Sequence, residues 1–298
     1  MVVPGQPPAA TRATWAGTAA AVTVVLWASA YAVTRLVGRE ISPGPLALAR
    51  LLTGSAVLGL LLLRRPLRRP ARRDWLPLFA VGVVWFGGYN LATNTAVRFV
   101  DAGTAGMVVN TGPLLIALLA GAVLDEGYPL QVVTGAAVGF AGVVLIGLTS
   151  AGSAEAVGVL LCVVAAVTWA VGVVSQKPVL GRLSALQVTW IGCTLGAVVC
   201  LPFAGELARE TAAAAPATVA WTAYLGVFPT AVAFTTWAYA LSRTTAGRLA
   251  ATMYLLPPLG IVEAWLLLGE TPALPAFAGG ALCLTGVYLA RRRGRTAA

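Results

Sequence analysis

The sequence predicts an all-α integral membrane protein in which ten transmembrane helices form two inverted five-helix repeats. Three observations predict this fold: an apolar composition, ten long apolar segments, and an internal duplication with an odd number of segments in each copy. Of the 298 residues, 59% are hydrophobic and only 10% are charged, whereas soluble domains carry roughly 25% charged residues. Because so few charges cannot cover a water-soluble surface, the chain is expected to lie in a lipid bilayer.

The composition also excludes several classes of function. The chain has no histidine, which removes Ser-His and Cys-His nucleophile pairs and HExxH metal sites. The isoelectric point is near 10.2, but the bases lie at the ends of apolar runs, as topology determinants do, so no nucleic-acid partner is predicted. The four cysteines all lie inside apolar stretches and form no disulfide framework. No cofactor and no metal are predicted.

Ten apolar segments bounded by charged residues, proline or glycine follow one another along the chain. Numbered in chain order as segments 1 to 10, they are Thr14–Val37, Pro45–Leu63, Trp75–Val97, Thr104–Leu124, Pro129–Thr149, Ala156–Ser175, Ser184–Phe203, Ala217–Leu241, Leu249–Leu268 and Leu274–Ala290. A helix needs about 20 mostly apolar residues to cross a bilayer. The unbroken apolar runs favour helices, because strands of a membrane barrel alternate every second residue.

The lysines and arginines are distributed unequally between the two sides of the membrane. With a cytoplasmic N-terminus, fifteen bases face inward and three outward. The positive-inside rule therefore predicts that both termini are cytoplasmic and that the protein crosses the plasma or inner membrane many times. Six of the inner bases lie within Arg64–Arg73. We interpret this run as a topology determinant on a short loop, with anionic-lipid binding as the alternative.

The second half of the chain repeats the first. With a shift of 144 residues, Ala96–Leu145 aligns without gaps on Ala240–Leu289, and fourteen of the fifty positions are identical. Pro113 then coincides with Pro257. Chance matches among leucine, alanine and valine do not place a proline in register.

Nearer the N-terminus the shift becomes 142 residues, which relates Trp27 to Trp169. The repeats are predicted to cover residues 1–150 and 151–298, with five segments in each. Because five is odd, the second repeat enters the membrane in the opposite sense to the first. Inverted repeats of this kind are typical of secondary transporters.

Four stretches in the two halves carry a common pattern. They are Trp27-Ala28-Ser29-Ala30-Tyr31 leading to Arg35, Ala96-Val97-Arg98-Phe99 leading to Ala102-Gly103, Gly112-Pro113 leading to Asp125-Glu126, and Pro257-Pro258 leading to Leu268-Gly269-Glu270. They resemble the EamA-type members of the drug/metabolite transporter (DMT) superfamily over nearly the whole chain, once in each half. The resemblance implies a DMT-type transporter fold and a substrate cavity lined by segments 1, 3, 4, 6, 8 and 9. Asp125-Glu126 departs from the Gly-Glu pair that is usual in the family.

Polar and aromatic side chains in the middle of the segments are candidates for lining that cavity, because polar groups within a membrane are costly unless they face the protein interior. The candidates are Trp27, Tyr31, Tyr89, Asn90, Asn94, Asn110, Trp169, Trp237 and Tyr254, with Trp85 as a further aromatic residue. Asn90 and Asn94 share one helix face. They suit a zwitterionic or hydroxylated solute, or alternatively hold helices together.

Two prolines are expected to kink their helices near the cavity. Asn110 lies three residues before Pro113, and Tyr254 three residues before Pro257. A proline inside a helix frees a carbonyl group and bends the chain. The residue one turn earlier is then well placed to face a cavity, although a kink that only shapes packing is the alternative.

Glu263 is the only acid inside a predicted segment. A carboxyl group in a low-dielectric environment favours its protonated form and can bind and release a proton. The hypothesis is that Glu263 couples proton movement to transport or contacts a cationic group of the solute. A hydrogen-bonded carboxyl with a packing role is the alternative, since the repeat counterpart of Glu263 is Leu119.

Three cations lie near the ends of apolar segments. Arg35 and Lys177 are related by the repeat, and Arg50 lies about one turn into segment 2. We interpret them as side chains that extend to the lipid headgroups. For Arg35 and Lys177 the alternative is that they bind carboxylates at the two mouths of the cavity.

Together these features predict a secondary transporter that exports small metabolites, such as amino acids or drug-like compounds, by alternating access through a central cavity between the repeats. The chain has no GxxxxGK[ST] motif, so ATP is not its direct energy source. The alternatives are import of a sugar or other nutrient by cation symport and, more distantly, a structural protein or an integral-membrane enzyme. The predicted partners are a small-molecule substrate and the lipid bilayer. The oligomeric state stays open, and a monomer agrees with the sequence.

Overall fold

The computed structural model describes residues 9–124, 134–135, 137–142, 145, 153–244, 246–269 and 274–291. Within these ranges the chain is helical apart from turns and short loops, and no strand occurs in them. The prediction of an all-α protein is therefore confirmed. Most of segment 5, together with Asp125 and Glu126, lies outside the described residues.

The helices follow the predicted segments closely. Segments 1 to 4 are Ala9–Val37, Pro43–Leu62, Arg72–Ala96 and Ala102–Val123. Segments 6 to 8 are Ser153–Val179, Ala185–Ala213 and Pro216–Arg243. Segment 9 consists of Ala246–Ala250, the 3-10 turn Ala251–Leu255 and Leu256–Leu268, and segment 10 is Leu274–Arg291. Seven helices of the described chain, those of segments 1 to 4 and 6 to 8, are long and apolar enough to cross a membrane.

Segments 3 and 8 each contain a stretch of wider, π-type helix. These stretches are Ala80–Tyr89 and Gly226–Val232. The 144-residue shift between the repeats aligns the second stretch with residues 82–88, which lie inside the first. A Cβ atom on Gly226 would lie 2.5 Å from the side chain of Thr53, so only glycine allows segments 2 and 8 to approach this closely. Such π-type turns often occur at functional sites, and here both repeats carry one at the same position.

Segments 4 and 9 are each interrupted before a proline. Asn110 ends the first helix of segment 4, and Gly112–Val123 begins anew with Pro113 in its first turn. In segment 9, Leu256–Leu268 follows a 3-10 turn and carries Pro257 in its first turn. Proline is tolerated there because the first N–H groups of a helix have no partner within it. Both prolines therefore begin a new helix rather than bend a continuous one.

The two repeats interleave instead of packing side by side. Segment 2 packs against segment 7, segment 3 against segments 6 and 7, and segment 1 against segments 8 and 9. One continuous cluster of buried apolar side chains runs through both repeats. The space between these interleaved segments is therefore lined from both halves of the chain.

Polar contacts join the repeats at one end of the helices, which we call the Glu40 end. The carboxylate of Glu40 accepts hydrogen bonds from the backbone N–H of Ala215 (2.7 Å) and the hydroxyl of Thr218 (2.6 Å). Glu210 accepts from the backbone N–H (2.8 Å) and hydroxyl (2.7 Å) of Ser42. The hydrogen bonds from Thr218 and Ala215 hold the pKa of Glu40 below its usual value, so the contact is charged at neutral pH.

A second set of contacts joins the repeats at the opposite end, the Asp74 end. Asp74 is only 1% exposed and accepts hydrogen bonds from Nε (2.7 Å) and Nη2 of Arg182. The side-chain amide of Gln187 donates to the backbone carbonyl of Arg68 and accepts from its N–H. The 142-residue shift relates Glu40 to Arg182, so equivalent loops of the two repeats make contacts at opposite ends.

Candidate functional site

Two adjoining pockets lie between the repeats. Both are lined by Trp27, Tyr31, Tyr89 and Phe234, so we treat them together as the central cavity. The first pocket receives side chains from segments 1, 3, 4, 6, 8 and 9, the six segments that the family resemblance implies. Most of these side chains are buried, as expected for a cavity inside the protein.

Trp27 is the centre of an aromatic cluster on one wall of the cavity. Its ring centroid lies 5.9 Å from that of Trp169, 5.2 Å from Phe234 and 5.3 Å from Trp237. The indole Nε1 donates a hydrogen bond to the carbonyl of Pro229 (3.1 Å), inside the π-type stretch of segment 8. Trp27 therefore joins the first repeat to two helices of the second.

Phe234 is a cavity residue that the sequence analysis missed. Its ring stacks on Phe86 with centroids 4.2 Å apart and also meets Trp85 at 5.3 Å. Phe234 lies three residues before Trp237, hence on the same helix face. This spacing is the signal that could have identified it.

Hydrogen-bonding groups face the cavity among these aromatic rings. The hydroxyls of Tyr31 and Tyr89, from segments 1 and 3, lie 3.1 Å apart. Asn110 lines the first pocket, and within the described part of the chain neither atom of its side-chain amide has a hydrogen-bond partner. The same holds for Nε1 of Trp169. Buried polar groups are normally hydrogen-bonded, so these atoms are available to a solute.

Arg50 reaches the second pocket from segment 2. It is 5% exposed, and its Nη1 donates to the hydroxyl of Thr34 (3.4 Å) and to Oδ1 of Asn94 (3.2 Å). The Asn94 amide in turn donates to the carbonyl of Pro43 (3.2 Å). The guanidinium is thus enclosed by protein, and the interpretation that Arg50 extends to the lipid headgroups is wrong.

The remaining candidates lie at or beyond the edge of the cavity. Asn90 is fully buried behind the wall, where its amide nitrogen donates to the carbonyl of Phe86 (2.7 Å). Trp237 is likewise fully buried and packs behind Trp27.

The side chain of Tyr254 lies outside the described residues. Glu263 is partly buried and lines neither pocket, and its Oε2 has no hydrogen-bond partner in the described part of the chain.

Arg35 and Lys177 make the same kind of contact in the two repeats. Arg35 donates to the carbonyls of Val97 (2.5 Å) and Val100 (2.9 Å), just after segment 3 ends. Lys177 donates to the carbonyl of Leu241 (2.7 Å) in the last turn of segment 8. A cation is favourable at the carbonyl end of a helix. The pair thus stabilises equivalent helix ends within its own repeats.

Comparison with known proteins agrees with this architecture. The EamA-like transporter family matches twice, over residues 14–148 and 156–292. A protein of Streptantibioticus cattleyicolor named "Probable terminal-alkyne amino-acid exporter" is 33% identical over 283 residues, which cover 95% of this chain and 94% of the relative. The transporter YdfC of Bacillus subtilis is 29% identical over 266 residues, 88% of this chain and 86% of the relative.

A solved crystal structure shares the fold, with a TM-score of 0.65 and 23% sequence identity over 93% of this chain and 96% of the other. The related proteins named above are transporters and not enzymes. With its long apolar helices, the chain is a multi-pass membrane protein that transports a small molecule. Two family matches that together cover most of the sequence, and a relative 33% identical over nearly all of it, establish that this chain belongs to the EamA-like transporter family.

Proposed function

We propose that this protein exports a small amino acid, or a compound related to one, through the central cavity between its repeats. The proposal rests above all on the composition of that cavity, in which aromatic walls surround hydrogen-bonding groups that have no partner among the described residues. Sites that enclose small molecules combine apolar walls with a few well-placed polar groups, as this cavity does. Aromatic rings suit an apolar side chain, and the unpaired polar atoms suit the charged ends of a zwitterion.

A relative supports the choice of substrate class. The Streptantibioticus cattleyicolor protein is named as an exporter of a terminal-alkyne amino acid and covers 95% of this chain. An amino acid with a short apolar side chain is therefore the first substrate to test. Drug-like compounds form the second class, because the same aromatic walls accept other apolar groups.

Alternating access gives the two ends of the molecule opposite roles. Each end is held by contacts between the repeats, with Glu40 and Glu210 at one end and Asp74 and Arg182 at the other. Opening the cavity toward one side requires the contacts at that end to break. We propose that the repeats of residues 1–150 and 151–298 are inverted, that both termini are cytoplasmic, and that a monomer in the plasma or inner membrane is the transporting unit.

Flux through inside-out membrane vesicles tests the function. Vesicles containing the protein are expected to accumulate labelled L-propargylglycine, which carries a terminal alkyne, and accumulation should fall when an uncoupler dissipates the proton gradient. The Leu160→Ala variant changes a side chain that is 62% exposed on segment 6 and should transport normally. An absence of protein-dependent flux for amino acids and drug-like compounds alike would contradict export. Accumulation of a sugar only in right-side-out vesicles would instead support import.

Glu263 is proposed to couple export to the proton gradient. Its Oε2 is enclosed without a hydrogen-bond partner in the described chain, so replacing the carboxyl group by an amide breaks no described contact of that atom. Glu263→Gln is expected to remove the dependence of flux on the gradient while passive exchange of labelled for unlabelled substrate continues. Parallel flux assays with Glu206→Gln, an exposed acid on segment 7, provide the control. A Glu263→Gln protein whose gradient dependence matches the unmodified protein would exclude this role.

A further inference from the structure

Within the described part of the chain, Arg50 is a buried cation without a carboxylate partner. It lies in the helix Pro43–Leu62, is 5% exposed and lines the second pocket of the central cavity. Its two hydrogen bonds go to neutral oxygens, those of Thr34 and Asn94, and no carboxylate in the described chain accepts from it. A charged side chain inside a membrane protein is costly unless it is paired. The charge of Arg50 is therefore left for a group that the cavity admits.

The direction of the hydrogen bonds leaves one edge of the guanidinium without a partner among the described residues. Both bonds come from Nη1, whereas neither the buried Nε nor Nη2 has a hydrogen-bond partner among the described residues. Nε and Nη2 together form an edge that binds a carboxylate through two parallel hydrogen bonds. Asn94, anchored on the carbonyl of Pro43, holds Nη1 in place. The protein thus orients the guanidinium before any solute arrives.

The cavity continues from Arg50 to the opposite polar group, Asn110. Tyr31 and Tyr89 line both pockets and connect the two regions. Trp27 also lines both pockets and supplies apolar surface between them. A solute with a carboxylate at one end, an apolar body and a second polar group fits this order of side chains.

We propose that Arg50 is the residue that binds the carboxylate of the transported solute and selects carboxylate-bearing solutes over their neutral analogues. This inference rests on the proposed amino-acid export, since it assigns one end of that substrate to one side chain. A carboxylate at the Nε–Nη2 edge neutralises the buried charge and fills the hydrogen bonds that the protein leaves open. An arginine that only holds segments 1, 2 and 3 together requires no such preference.

The test compares L-propargylglycine with its carboxamide, in which a neutral amide of similar size replaces the carboxylate. Two readouts are used: flux in inside-out vesicles, and the rise in melting temperature of the purified protein on adding each compound. The unmodified protein is expected to prefer the acid by at least roughly tenfold. In Arg50→Gln the acid-to-amide ratio should fall to about one, and Arg50→Lys, which keeps the charge but loses the planar edge, should give an intermediate ratio.

The control is Arg64→Gln, an exposed arginine between segments 2 and 3, which should retain the full preference. Equal responses of the unmodified protein to acid and amide, or a preference that survives in Arg50→Gln, would overturn the inference. If Arg50→Gln does not fold, a full preference in Arg50→Lys overturns it instead. An acid-specific rise in melting temperature without flux refutes export but supports carboxylate binding by Arg50. Flux without discrimination refutes the role of Arg50 and leaves export standing.

Discussion

Replacing Trp27 by alanine is expected to lower the free energy of unfolding by about 3 kcal/mol, the scale of large-to-small changes at aromatic core positions. The indole contacts Trp169, Phe234 and Trp237 and also donates to the carbonyl of Pro229. All four partners belong to the second repeat, so the loss falls on the contact between the repeats. The change removes three aromatic contacts, and each contributes about 1 kcal/mol. A loss of 1.4 kcal/mol corresponds to a factor of ten, so export should decrease by at least about tenfold.

Two further variants separate loss of the cluster from general damage to segment 1. Trp15→Ala removes the same kind of side chain from the same helix, but Trp15 is 60% exposed, and it should leave both stability and export almost unchanged. Trp27→Phe keeps an aromatic ring and loses the hydrogen bond to Pro229, so it should lose only about 1 kcal/mol. Thermal unfolding in detergent and vesicle flux measure the two effects. Similar losses in Trp15→Ala and Trp27→Ala would argue against a central role of the cluster.

The Arg182→Ala variant is expected to lose about 2 kcal/mol of folding free energy, because it leaves the buried Asp74 carboxylate without its cation. Asp74 is 2% exposed in its side chain and Arg182 is 34% exposed. The loss is therefore smaller than for a fully buried pair, since solvent screens the arginine. Unfolding of the purified protein, followed by loss of helical circular dichroism, measures it.

The double variant Asp74→Asn with Arg182→Gln provides the matched comparison. It removes both charges and keeps polar side chains, so it should be more stable than Arg182→Ala alone. Compared with the single variants Asp74→Asn and Arg182→Gln, it should give a coupling free energy of about 1 kcal/mol or more. Glu40→Gln at the other end should lower the folding free energy by less than Arg182→Ala does. Glu40 is exposed, and an amide oxygen at this position can still accept the hydrogen bond from Thr218. Additive effects of the two single changes at the Asp74 end would show that the pair does not hold the repeats together.

Much of the fold followed from hydropathy and the repeat. The apolar segments correspond to helices wherever the chain is described, and seven of them are long enough to span a membrane. The repeat also related Arg35 to Lys177, and the structure gives both a carbonyl-binding contact next to a helix end. Residues at equivalent positions of two similar folding units meet similar surroundings, so a sequence alignment of the halves predicts such pairs.

The site was predictable only in part. Trp27, Tyr31, Tyr89, Asn110 and Trp169 line the central cavity, and they stood out because polar and aromatic groups are unusual in the middle of an apolar segment. Phe234 did not stand out, since a phenylalanine in an apolar helix looks like any lipid-facing residue. Its place in the wall depends on the rotation of segment 8 about its axis. That rotation is set by packing against other helices.

Side-chain partners from different helices were not predictable at all. The sequence placed Arg50 near a helix end and suggested that its side chain extends to the lipid headgroups, because long cationic side chains usually do so. The tertiary structure instead encloses Arg50 between segments 1, 2 and 3. Likewise, 108 residues separate Asp74 from Arg182, and nothing in the local pattern relates them.

The sequence by itself determined that this protein lies in a membrane, that its segments are helices and that it consists of two related halves. The reason is local: a backbone in hydrocarbon must satisfy its own hydrogen bonds, and a helix does so within one segment. Only the tertiary structure decided which side chains meet in the cavity and which edge of Arg50 remains free. Those contacts depend on how the interleaved helices are rotated and spaced, and that outcome is set by close packing over the whole molecule.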